Sequence, residues 1–158
     1  MDSKKTERQQ STPPALPLSA GSSKSAVRRR RFLVAEDDAE LRALMALVLR
    51  QDGAEVVEVT GGVDLLEWAE LTAWSRKDEA FDAIISDIQM PDLTALEVLS
   101  QRPAIPRQTP VILVTAYDDK ETRQRAYELG AQMVLTKPVQ LNDLRAVARS
   151  VAYRSSVS

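Results

Sequence analysis

Residues 83–92 have the sequence AIISDIQMPD, in which a short apolar run ends abruptly at an acidic residue. The run has the length and composition of a strand that is buried on both faces, as the strands of a parallel sheet are. The run ends at Asp87, and Pro91 interrupts the loop that follows. This stretch therefore predicts a parallel strand that delivers a carboxylate to one edge of a sheet.

Similar short apolar runs alternate with helical patterns on both sides of this strand. The other predicted strands cover residues 32–35, 55–59, 111–115 and 133–135. Apolar residues between them keep helical spacing, and Asp52-Gly53 closes the first helix. Strands that alternate with helices predict an α/β fold, a doubly wound five-stranded parallel sheet with five helices.

Length and composition limit the chain to one ordinary domain and a tail. The 158 residues are 44% hydrophobic, which is enough for a real core. Residues 1–30 are basic and rich in Pro and Ser, so we predict a disordered tail, then one domain over residues 31–155 and no separate output domain. No apolar run has the length of a membrane span and the first residues do not resemble a signal peptide, so we expect a cytoplasmic protein.

The residue types that are missing restrict the chemistry. The chain contains neither cysteine nor histidine, which excludes disulfides and thiolate metal sites and removes the commonest general base. Residues 1–31 carry eight Lys/Arg and two Asp/Glu, whereas the rest carries 13 and 21, so tail and body have opposite charge. Chemistry in this protein must therefore use carboxylates, hydroxyls, amines and hard cations.

The residues that close the strands are the candidates for a site, because ligands of such sheets bind beyond the carboxyl ends of the strands. Four of the five strands end in polar or charged groups: Glu36, Asp37 and Asp38, then Asp87, Thr115 and Lys137. Carboxylates gathered there repel each other by about 4 kcal/mol per pair, so we expect a hard dication, Mg²⁺ or Mn²⁺. Asp87 could then attack phosphorus as a carboxylate nucleophile, while Lys137 and Thr115 contact the phosphoryl oxygens.

Four runs in this order, FLVAEDD, IISDIQMPD, VILVTA and LTKP, resemble the receiver domains of response regulators. The resemblance covers roughly residues 32–154 and implies the flavodoxin-like, CheY-like sheet with strand order 2-1-3-4-5. It also implies a signalling protein of a two-component phosphorelay, not a dedicated enzyme. Such a protein accepts a phosphoryl group from a phosphohistidine on a sensor histidine kinase or a histidine phosphotransfer protein, and then switches its binding to a downstream protein.

The resemblance assigns a role to each strand-end residue. Asp87 is implied as the phosphoacceptor, Thr115 as the switch hydroxyl and Lys137 as the phosphate-binding lysine, with a cis peptide bond before Pro138.

The same resemblance implies a magnesium site. Asp37 is implied as a direct ligand beside Asp87, Glu36 acts through a coordinated water, and the backbone carbonyl of Gln89 completes the set.

Some positions depart from the family pattern. Val134 stands three residues before the lysine, where the family usually has an aromatic ring that rotates inward on activation. Ala95 replaces a frequent glycine, and Glu36 replaces a frequent aspartate. The link between phosphorylation and the output face is therefore expected to be weak or differently built.

Simpler explanations exist for single residues. Asp37 or Asp38 could be a helix cap, and Trp68 and Trp74 are expected to be partly buried against the sheet edge. The arginines at 28–31 are expected to be a solubilising end of the tail, and nucleic-acid binding is disfavoured because no aromatic residues interleave them.

Three alternative functions stay open. One is an unphosphorylated docking or scaffold receiver, and another is an effector tail whose exposure the receiver controls. The third, an aspartate-nucleophile phosphatase of the haloacid dehalogenase type, is disfavoured because Gln89 stands where that family needs a second aspartate.

Overall fold

The structure, a computed structural model, describes residues 28–76, 79–101, 105 and 108–157. The predicted tail lies outside these residues except for its last three positions. Strands and helices alternate through the described part in the expected order. The strands are β1 (Arg31–Ala35), β2 (Glu55–Val59), β3 (Ala83–Asp87), β4 (Val111–Thr115) and β5 (Met133–Thr136).

All strand pairs in the sheet are parallel, and the strand order is β2-β1-β3-β4-β5. The predicted doubly wound topology is therefore confirmed. β3 lies in the middle of the sheet between β1 and β4, and each of its five residues is buried. The apolar run predicted this burial for residues 83–86, and the structure adds Asp87 to it. The central position of β3 places its last residue, Asp87, between the carboxyl ends of two neighbouring strands.

In the described part of the chain, four helices connect the strands, a fifth follows β5, and together they cover both faces of the sheet. They are α1 (Ala39–Gln51), α2 (Gly62–Ala73), α3 (Ala95–Ser100), α4 (Lys120–Glu128) and α5 (Leu141–Val157). Side-chain caps begin three of them, because Asp38, Thr94 and Asp119 each accept a hydrogen bond from a backbone N–H of the first turn. The first helix ends as predicted, with Asp52 at its C-cap and Gly53 at a φ of +86°, a conformation that glycine adopts without strain.

Alternate side chains of the strands feed two separate cores. Leu33 and Ala35 of β1 point to the core under α2, α3 and α4, whereas Phe32 and Val34 point to the core under α1 and α5. No helix in the described part of the chain is long and apolar enough to cross a membrane. The two cores hold the strands rigidly, so the loops at the carboxyl edge start from fixed positions.

The first described residues are attached to the opposite, amino-terminal edge of the sheet. Arg28 forms an ion pair with Asp82 at 3.1 Å, and the backbone N–H of Arg31 donates to the same carboxylate at 2.7 Å. The guanidinium of Arg31 also lies over the Phe81 ring, 4.8 Å from its centroid, and near Trp68. Two of the four consecutive arginines are thus engaged within the domain.

The two tryptophans have different environments. Trp68 is half-buried and packs edge to face on Phe81, with the ring centroids 6.1 Å apart, as partial burial predicted. The same prediction is wrong for Trp74, whose exposed fraction is 91%. Trp74 follows Ala73, the last residue of α2, and so lies beyond the stripe of that helix which faces the sheet.

Candidate functional site

Three acidic side chains converge at the carboxyl edge of β1 and β3. Ala35 pairs with Ser86 in the sheet register, so the residues that follow in each strand leave the edge side by side. One carboxylate oxygen each of Glu36, Asp37 and Asp87 lies within 4.8 Å of the others. The predicted acidic cluster is therefore present in the geometry.

The structure separates the two neighbouring aspartates that the sequence could not tell apart. Asp38 is the N-cap of α1, and its Oδ1 accepts from the backbone N–H of Leu41 at 3.0 Å. Asp37 is exposed and contributes its carboxylate to the cluster. The capping explanation is thus correct for Asp38, and Asp37 is available as a ligand.

Lys137 reaches the cluster from the end of β5. Its Nζ lies 3.0 Å from Oδ2 of Asp87 and 3.2 Å from Oε2 of Glu36. The backbone N–H of Lys137 donates to the carbonyl of Thr115 at 2.8 Å, and the Lys137–Pro138 peptide bond is cis, as expected. Burial alone would lower the pKa of Lys137, but the hydrogen bonds and the attraction to Asp87 and Glu36 outweigh burial and raise it.

The environment of Glu36 disfavours its charged form, because the side chain is fully buried beside another carboxylate. Burial, followed by repulsion from Asp87, raises the pKa of Glu36 from 4.5 to about 7. Its Oε1 accepts from Lys137 Nζ and from the backbone N–H of Asp38, at 3.3 and 3.2 Å. Its Oε2 lies at ion-pair distance from Lys137 but accepts no hydrogen bond from the described residues.

These features fit a hard dication. Lys137 pairs with Glu36 and Asp87 but not with Asp37, so carboxylates outnumber the lysine in the cluster. Among the described residues, the buried Oε2 of Glu36 accepts no hydrogen bond. Oxygen-only donor sets with several carboxylates suit Mg²⁺ or Mn²⁺ and disfavour zinc. The backbone N–H of Gln89 donates to Oδ1 of Asp87 at 3.2 Å, so Gln89 also lies at the cluster.

Thr115 closes β4 beside the cluster and is almost completely buried. Its hydroxyl accepts from the backbone N–H of Tyr117 at 3.0 Å and donates to the carbonyl of the same residue at 3.2 Å. In this conformation the hydroxyl is therefore satisfied by the loop after β4. The Tyr117 side chain is exposed.

Val134 is buried in β5 and has no ring that could rotate. The side chain of an arginine in α4 forms hydrogen bonds to this part of β5. Arg123 donates to Oδ1 of Asp118 at 2.6 Å, to the carbonyl of Val134 at 3.3 Å and to Oγ1 of Thr136 at 3.3 Å. The sequence reasoning missed this bridge between the β4–α4 loop and β5, and its only signal is an acidic residue five positions before an arginine.

Comparison with known proteins identifies the family of the domain that carries this site. The family model for the response regulator receiver domain matches residues 32–149. The chain belongs to the response regulator receiver family. Receiver domains of this family are phosphoacceptors of two-component signalling, phosphorylated by histidine kinases or phosphotransfer proteins.

Relatives of this receiver are regulators of greater length. It is 34% identical over 116 residues to the transcriptional regulatory protein PdtaR of Mycobacterium tuberculosis, covering 73% of this chain and 53% of that protein. It is 33% identical over 130 residues to the phosphate regulon transcriptional regulatory protein PhoB of Klebsiella pneumoniae, covering 80% and 53%. The receiver thus spans about half the length of these two curated relatives.

Solved structures also resemble the receiver. A CheY-like receiver domain protein of Methanospirillum hungatei superposes with a TM-score of 0.72 at 23% identity, over 81% of this chain and 97% of that one. The chemotaxis response regulator CheY4 of Vibrio cholerae gives 0.67 at 26% identity, over 78% and 98%. At 23% identity, the similarity to the Methanospirillum hungatei protein shows a shared fold alone.

Proposed function

We propose that Asp87 accepts a phosphoryl group from a phosphohistidine, and that the resulting aspartyl phosphate changes which protein the receiver binds. The observation that carries this proposal is the meeting of Asp87 with two further carboxylates and one lysine. A nucleophilic carboxylate needs positive charge near it when an anionic phosphoryl group approaches, and Lys137 supplies that charge at 3.0 Å.

The reaction is a displacement at phosphorus. A carboxylate oxygen of Asp87 forms the new O–P bond, and the P–N bond to the donor imidazole breaks with its electron pair going to nitrogen. Lys137 lies close enough to Asp87 to hold the phosphoryl oxygens after transfer, and the Thr115 hydroxyl can exchange its bond to Tyr117 for one to a phosphoryl oxygen. The donor supplies the histidine that this chain lacks, so the receiver acts as an acceptor and not as a dedicated enzyme.

We propose Mg²⁺ as the cofactor, with Mn²⁺ as a substitute. Asp37, Asp87 and the backbone carbonyl of Gln89 would hold it, and Glu36 would hold it through a water. When bound, the ion neutralises part of the negative charge on the carboxylates and on the incoming phosphoryl group. The buried Oε2 of Glu36, which accepts no hydrogen bond from the described residues, and the excess of carboxylates over lysine support this assignment.

The test is phosphorylation by acetyl phosphate, with and without Mg²⁺, followed by intact mass measurement. We expect the gain of one phosphoryl group that requires Mg²⁺ and disappears in Asp87→Asn. Asp38→Asn is the matched control, because Asn keeps the helix cap next to the cluster and should leave the gain unchanged. No gain in the wild type with acetyl phosphate or with a phosphorylated histidine kinase would instead support an unphosphorylated docking receiver.

A further inference from the structure

Asp92 joins the loop after β3 to the start of another helix. Its carboxylate accepts from the backbone N–H groups of Gly62 and Val63 in the first turn of α2, at 2.9 and 3.0 Å, and from the N–H of Leu93 at 2.7 Å. These hydrogen bonds lower the pKa of Asp92 below its usual value. The N-cap position of α2, Gly61, provides no side-chain cap, so a residue 30 positions away caps the helix instead.

Two glycines allow this contact. A Cβ on Gly61 would lie 2.6 Å from a carboxylate oxygen of Asp92, and a Cβ on Gly62 would lie 2.0 Å from the carbonyl oxygen of Leu93. Both distances are too short for any side chain without displacement of the loop. The β3–α3 loop is therefore packed directly against the backbone of α2.

The same loop carries the backbone that borders Asp87. The N–H of Gln89 donates to Oδ1 of Asp87, and the N–H of Ala95 donates to the carbonyl of Ile88 at 3.0 Å. The start of the loop is thus hydrogen-bonded to the last residue of β3, and the two ends of the loop are hydrogen-bonded to each other. Asp92 adds an attachment to a neighbouring helix, which restricts movement of the loop as a unit.

We propose that Asp92 is a positioning residue, which holds the β3–α3 loop against α2 so that the backbone of Gln89 keeps its place beside Asp87. The inference rests on the proposed function, because a fixed Gln89 backbone matters for Mg²⁺ binding and phosphoryl acceptance. A residue that orients a metal ligand commonly changes metal affinity by 10- to 100-fold when removed. A cap that only stabilised α2 would change stability and nothing else.

The experiment compares Asp92→Ala, Asp92→Asn and the control Asp52→Ala. Asp52 is the C-cap residue of α1, and its carboxylate pairs with Arg149 at 2.9 Å. The Asp52→Ala change therefore removes a helix-end carboxylate that lies far from the β3–α3 loop. The first readout is amide hydrogen exchange of Gln89 in metal-free protein, followed by NMR. The second is the dissociation constant for Mg²⁺, and the third is Tm.

In Asp92→Ala we expect faster exchange of the Gln89 amide and Mg²⁺ binding weakened about tenfold. Asp92→Asn keeps one acceptor oxygen and should recover part of both effects, while Asp52→Ala lowers Tm and leaves both unchanged. If Asp92→Ala lowers Tm but leaves exchange and Mg²⁺ affinity at wild-type values, the positioning role is wrong. Because exchange is measured without metal, a wild type that binds no Mg²⁺ would count against the proposed cofactor and not against the positioning of Gln89.

Discussion

Replacing Glu36 with Gln should stabilise the metal-free protein at pH 8. The carboxyl is fully buried beside Asp87, and its pKa is raised from 4.5 to about 7. Each tenfold change in proton affinity corresponds to about 1.4 kcal/mol, so ionising Glu36 in the folded protein costs about 3 kcal/mol relative to the unfolded chain. Gln has nearly the same shape and carries no charge, so the variant avoids this cost.

The sign of the pH dependence follows from the raised pKa. Below pH 4.5 Glu36 is protonated in both states, and wild type and Glu36→Gln should be equally stable. Between pH 4.5 and about pH 7 the wild type becomes progressively less stable than the variant, because the unfolded chain releases the Glu36 proton while the folded state still holds it. Above about pH 7 Glu36 is ionised in both states, and the difference stays constant. At pH 8 the variant should be more stable by up to about 3 kcal/mol, or about 10 °C in Tm.

The assay is urea unfolding in EDTA at pH 4.5 and pH 8, with exposed Glu55→Gln as the matched control. The control should follow the wild type at both values. Mg²⁺ in excess should reverse the ranking at pH 8, because the wild type gains binding free energy that the variant has given up. A variant that is no more stable than wild type at pH 8 in EDTA would refute the reasoning that ionised Glu36 destabilises the folded protein.

Three further changes have defined outcomes. Lys137→Ala should tighten Mg²⁺ binding measured by calorimetry, because its ammonium group competes with the cation for the same carboxylates; unchanged or weaker binding would contradict this. Gly62→Ala should cost more than about 2 kcal/mol in urea unfolding because its Cβ would meet a loop carbonyl, whereas Gly53→Ala, with open space but a φ of +86°, should cost only about 1 kcal/mol. Arg123→Ala should raise the pKa of Asp118, which the guanidinium now lowers, and an NMR titration that shows no rise would remove the assigned ion pair.

The sequence predicted the fold well because its signals are local. Each apolar strand and each helical stripe is a continuous segment, and the strand bounds differ from the structure by at most one residue at either end. The strand-end residues were found for the same reason, since parallel strands bring their carboxyl ends to one edge. Sequence alone thus located Asp87, Thr115 and Lys137 at the carboxyl edge of the sheet.

The features that sequence reasoning missed depend on contacts between distant segments. The bonds of Asp92 to α2 span 29 and 30 residues, and the contacts of Arg123 with β5 span 11 and 13. Neither pairing has a periodic signal, because loop geometry and not helix or strand spacing brings the groups together. The choice between Asp37 and Asp38 was open for a related reason, since it depends on which of two adjacent side chains faces the first turn of α1.

The attachment of Arg28 and Arg31 to Asp82 has a practical consequence for labelling this protein. β1 has five residues, so about 16 Å of strand separates this attachment from the acidic cluster. A fluorophore or a fusion partner joined directly to Arg28 would be attached on the side of the sheet away from Asp87. Such a tag should report on the protein in cells without obstructing the approach of a phosphoryl donor.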